Sequence, residues 1–76
     1  MTAHIPFAQS GTKGPLAAAI QAALCDAGYS LDIDGEFGPR TENALREFQR
    51  KNNLEIDGVA GPATYAKLLG GYTTDE

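Results

Sequence analysis

Carboxylates beside glycine are the residues of this chain with the clearest capacity for chemistry: Asp32, Asp34 and Glu36 flank Gly35, and Glu55 and Asp57 precede Gly58. Acidic groups at alternate positions suggest calcium first. An EF-hand loop draws oxygen ligands from its early odd positions and needs a bidentate Glu at the twelfth. Counted from Ser30 the twelfth residue is Thr41, and counted from Asn53 it is Thr64; Pro39 and Pro62 also start helices inside these spans. No calcium site is expected. One cysteine, Cys25, and one histidine, His4, supply neither a zinc set nor an internal disulfide. Acid–base work by Asp34 with Asp57 or Glu36 would need carboxyls facing each other across a cleft, one with its pKa raised by burial. Bonding the backbone of an Asp-Gly turn already explains both aspartates. His4 lies outside any helical pattern and Cys25 inside one, where it is expected as a small buried residue, so no nucleophile–base pair is expected. The expectation is no catalytic residue, no metal and no cofactor, and a chain that is not an enzyme.

Binding is the remaining chemistry. A turn that leads into a helix exposes backbone N–H groups to polar or anionic ligands. Phe37 stands between the glycines of the first turn, where it either fills the core or floors a groove. Arg40, just past Pro39, is placed to meet a carboxylate, and Tyr29 and Tyr65 each combine an apolar ring with a polar tip.

These residues are positioned by an internal repeat. LDIDGEFGPRTENAL at residues 31–45 returns as LEIDGVAGPATYAKL at 54–68, with eight identities in fifteen positions, where ordinary residue frequencies give about one. Each copy reads as a short extended approach, an Asp-Gly turn, a Gly-Pro helix start and a helix. Glycine accepts the positive φ of the turn, and proline fits the first helical position, where its missing N–H is no loss. Gly14-Pro15 provides a third helix start, followed by a stripe of Leu16, Ala19, Ile20, Ala23, Leu24 and Ala27 that stops at Gly28. The second helix is predicted over residues 39–51, with Thr41, Ala44, Leu45 and Phe48 on one face, an Arg46–Glu42 pair on the surface, and Asn52-Asn53 at its end. A third, over residues 62–69, carries Tyr65, Leu68 and Leu69 and stops at Gly70-Gly71. The expected fold is all-α, a compact three-helix bundle. Residues 1–13 are expected to form an N-terminal arm that Ile5 and Phe7 can pin to the domain, with the domain at 14–70 and a tail or linker start at 71–76.

At 76 residues the chain forms one small domain. A formal net charge of −4, with scattered Lys and Arg, argues against nucleic-acid binding. No apolar run is long enough to span a membrane, and no signal peptide is visible.

Several segments in order carry a resemblance: Ile20-Gln21 with Leu24, Gly28-Tyr29, the run from Ile33 to Thr41, Ala44 to Gln49, Asp57 to Thr64, and Leu68. Over residues 14–69 this set closely resembles the peptidoglycan-binding domain family of bacterial and phage cell-wall hydrolases, endolysins included. The resemblance implies a three-helix module that docks a fused or associated hydrolase onto peptidoglycan without cutting it. Tyr65 stands where that family often has Trp, and Ala60 where it often has a larger apolar residue. Metalloproteinase pro-segments look similar but carry a Pro-Arg-Cys-Gly motif that this chain lacks.

On this reading a groove at the first turn and the start of the second helix binds peptide or glycan through Asp34, Gly35, Phe37, Arg40 and Asn43, with Tyr65 at its border. Arg40 pairs with a stem-peptide carboxylate, backbone near Gly35 and Gly38 bonds the ligand, and Phe37 adds apolar contact. The protein is expected to be a monomer acting at the cell wall, in the periplasm or outside the cell, carried there by a fused domain, phage lysis or a secretion machine. The rival expectation is a protein-interaction or assembly module of a phage particle or secretion machine built on the same bundle.

Overall fold

The computed structural model of the chain describes residues 7–68. Its helices are α1 at Pro15–Asp26, α2 at Pro39–Lys51 and α3 at Pro62–Leu68. Among the described residues the only extended pairing is two isolated bridges, Ala8 with Ala60 and Lys13 with Glu36. All three helices begin at the proline of a Gly-Pro pair, as the preset φ of proline dictates. Past the end of α2, Asn53 takes the left-handed conformation at φ 58°, which Asn tolerates better than most residues. Beyond α1 the same role falls to Gly28. The expected helical Leu69, the stop at Gly70-Gly71, and the roles of His4, Ile5 and the 71–76 tail lie outside the described residues.

α1 packs against both other helices. The core is built from Ala17, Ile20 and Leu24 of α1, Ala44, Leu45 and Phe48 of α2, Tyr65 and Leu68 of α3, and Phe37 and Ala60 from the turns. The stripe predicted for α1 is rotated: Ala19 and Ala27 face solvent, while Ala17 and Gln21 are buried. A run of alanines leaves the phase of an apolar face open, and the larger Ile20 and Leu24 settle it. Cys25 is half-buried, its Sγ 3.3 Å from the Leu31 carbonyl.

Part of the segment expected as an arm lies along both turns. Ala8 and Ala60 exchange N–H···O bonds of 3.2 and 2.7 Å. The Gly11 N–H donates to the Phe37 carbonyl and the Phe37 N–H to the Thr12 carbonyl, each at 2.9 Å. The Gly14 N–H donates to the Gly35 carbonyl at 2.8 Å. Phe37 and Ala60 are equivalent in the repeat, so one stretch of chain is bonded to both copies at the same place.

Candidate functional site

Both turns have the local form their sequences dictate. Gly35 and Gly58 adopt φ of 75° and 71°, a region in which a β-carbon is disfavoured. Asp34 Oδ1 accepts the Glu36 N–H at 3.0 Å, and Asp57 Oδ1 accepts the Val59 N–H at 2.9 Å, closing the aspartate turns.

Each turn is then locked from the preceding helix by a buried glutamine. Gln21 shares its Nε2 hydrogens among Asp34 Oδ1 (3.0 Å), the Glu36 carbonyl (2.9 Å) and Thr41 Oγ1 (3.1 Å), while its Oε1 accepts the Gly35 N–H at 2.9 Å. Gln49 repeats the pattern on Asp57 Oδ1 (3.0 Å), the Val59 carbonyl (3.0 Å) and Thr64 Oγ1 (3.2 Å). Its Oε1 accepts from the Asp57 and Gly58 N–H groups at 3.2 and 3.0 Å. Both amides are 1% exposed. No buried side-chain polar atom among the described residues lacks a partner, so the two latches satisfy what they bury. Neither glutamine is expected in this role from the turn motifs, although a signal is present: Gln21 and Gln49 interrupt the apolar faces formed by Ala17, Ile20 and Leu24 and by Leu45 and Phe48.

The Gln21 hydrogen bond, and then the Glu36 backbone N–H, hold the Asp34 carboxyl below its usual 3.8. A folded-state pKa below the unfolded one contributes stability that is present above the unfolded value and is lost as pH falls through the folded one. The Asp34 carboxyl carbon, followed by NMR, should therefore titrate below 3.8. Asp34→Asn should flatten that part of the acid-unfolding curve, and an unchanged curve would count against the linkage.

Beside the first turn lies a groove of about 260 Å³. Leu31, Asp32, Asp34 and Glu36 line it together with residues 38–41 and Gln21. Of the expected contacts, Asp34 and Arg40 are in this lining. Gly35 is not, and its N–H and carbonyl are both engaged, by Gln21 and by Gly14. Asn43 is exposed on α2 outside the groove. Phe37 and Tyr65 are each 3% exposed. Their rings belong to the core, so the apolar contact expected of Phe37 is not on the surface, and burial raises the Tyr65 hydroxyl pKa. Among the described residues, no cluster of His, Cys, Asp or Glu is suited to hold a metal ion.

The second turn has the same frame and a different surface. Val59 and Ala63 replace Glu36 and Arg40 in the repeat. Gly58 is buried beneath the Glu42–Arg46 pair: a β-carbon there would lie 3.1 Å from Glu42 Oε2 and from Arg46 Nε. The Phe7 ring stands 3.6 Å from where a β-carbon of Gly61 would be, whereas a β-carbon at Gly38 would meet nothing within 4 Å. The first copy is open and charged; the second is covered.

Comparison with known proteins agrees with this architecture. Residues 13–68 match the family described as "Putative peptidoglycan binding domain". The zinc D-Ala-D-Ala carboxypeptidase of Streptomyces albus G is 51% identical over 41 residues, covering 54% of this chain and 16% of the enzyme. The crystal structure of the SleB N-terminal domain superposes with a TM-score of 0.82 at 38% identity, covering 84% of this chain and 89% of that one. The endolysin of Burkholderia phage AP3 gives 0.84 at 35%, over 91% of this chain and 27% of the endolysin. The chain spans less than half the length of the first curated relatives it matches. With the three helices, both locked turns and the match running through all of them, the chain belongs to the peptidoglycan-binding domain family.

Proposed function

We propose that this chain is a non-catalytic module that binds the peptidoglycan of the bacterial cell wall and holds an attached or associated hydrolase against it. The observation that carries this reading is the family match through all three helices and both turns. Two of the similar proteins, a D-Ala-D-Ala carboxypeptidase and a phage endolysin, bear names of wall-directed enzymes, and the matched region is a minor part of each. A small unit recurring beside different catalytic domains suits a targeting role, exercised at the wall or outside the cell by a monomer. The groove of the first copy is the contact surface in this proposal, because the second turn lacks the charges of Glu36 and Arg40 and is covered. Arg40 and Asp34 stand in that groove.

Sedimentation with insoluble peptidoglycan tests the proposal. The 76-residue chain should pellet with the wall at moderate salt and release no soluble muropeptides. Absence from the pellet would refute the binding role, and release of muropeptides would refute the non-catalytic one.

A further inference from the structure

The groove carries charges of both signs that leave each other unpaired. Arg40 is the single cation in its lining, which also holds Asp32, Asp34 and Glu36. Among the described residues the ion pairs are Arg46–Glu42 and Arg50–Glu47, so Arg40 has no carboxylate partner, although three line the same groove. Asp34 is engaged by the latch, whereas the side chains of Asp32 and Glu36 accept no hydrogen bond. The internal repeat separates recognition from support: the latch Asp and Thr recur in both copies, each met by a glutamine of the preceding helix, whereas Glu36 and Arg40 of the first copy become Val59 and Ala63 in the second. No aromatic ring lines it, although rings on which sugar faces stack are the usual means of holding a glycan.

We propose that the groove takes the peptide of peptidoglycan and not the glycan strand. Arg40 receives a peptide carboxylate, and Asp32 and Glu36 receive the side-chain ammonium of a diamino residue in the same peptide. This rests on the groove being the wall-binding site. Neutral N-acetylated sugars would leave both charges without partners, whereas a zwitterionic peptide satisfies both in charge-assisted contacts. Glu36 and Arg40 are thus the specificity-determining residues.

The isotope-labelled 76-residue chain would be titrated by NMR with three probes. These are a synthetic stem tetrapeptide containing lysine, the same peptide acetylated on the lysine amine, and an N-acetylglucosamine tetramer. The free-amine peptide should shift amides within residues 32–41, and the sugar should shift none. Acetylation, Glu36→Gln or Arg40→Gln should each weaken peptide binding about tenfold, and an unchanged urea midpoint shows that each exposed substitution leaves the fold intact. Equal binding of the acetylated peptide, or groove shifts with the sugar alone, would overturn the assignment while wall sedimentation stands. Sedimentation without groove shifts from any of the three probes would overturn the site, and no sedimentation would refute the function on which it rests.

Discussion

Gln49→Leu is expected to lower the unfolding free energy by about 3–4 kcal/mol. The leucine is close in size and the site is almost closed to solvent, so the loss comes from hydrogen bonding rather than volume. It strands the Asp57 and Gly58 N–H groups, the Val59 carbonyl and the Thr64 hydroxyl, which now bond Gln49 at 3.0–3.2 Å. Water reaches some of these groups, which keeps the loss below the sum of four full penalties. A domain of this size has only about 5 kcal/mol or a little more to lose. The variant should therefore sit near the edge of unfolding. Urea denaturation should show a large drop in midpoint with an unchanged slope. Gln21→Leu should cost less, because Gln21 satisfies one backbone N–H where Gln49 satisfies two. A loss under about 1 kcal/mol at Gln49 would mean that the latch is not what holds the second turn.

Phe37→Ala carries the second large effect, about 3–4 kcal/mol, from lost burial and the cavity left behind. Phe37 is held on two sides: its ring is in the core, and its N–H and carbonyl bond Thr12 and Gly11. Phe37→Leu keeps most of the volume and should cost about 1 kcal/mol. The pair also separates support from contact. At a temperature where the leucine variant is folded, its retention on insoluble peptidoglycan should match that of the native chain. A marked loss of retention without loss of fold would place the ring at the ligand after all.

The features legible in the sequence are those that act through the local backbone. Asp-Gly, Gly-Pro and Asn53 state a φ preference or a missing N–H, and these hold wherever the chain lies in space. The amphipathic face of α2 was equally readable, since Thr41, Ala44, Leu45 and Phe48 recur at helical spacing and all are buried. What escaped depends on distant partners. Gln21 and Gln49 read as ordinary polar helix residues until the turns they lock are folded against them. The bonding of residues 8–14 to both turns runs through main-chain groups, which every residue type shares and no composition reveals. Phe37 was ambiguous because an aromatic between two glycines fits a core and a groove equally well; only packing decides. Asp34 and Arg40 were expected as contacts from their charge and position, and both line the groove. Asp32 entered only as a possible calcium ligand and Glu36 only as a possible acid–base partner of Asp34; that both line one groove with Arg40 depends on how the turn lies against the start of α2.

The bridge between Ala8 and Ala60 also bears on how the domain is made. Helices form from neighbouring residues and need little chain, but this bridge closes a loop that holds nearly all of the described residues. Loop closure of that span is entropically late, and long-range contacts slow folding relative to a bundle made of local contacts alone. During synthesis the stretch around Ala8 leaves the ribosome before the second turn does and must wait for it before it has its full set of partners. Completion of this small helical unit is thus timed by almost the last residues of the fold, and the groove beside its first turn matures with it.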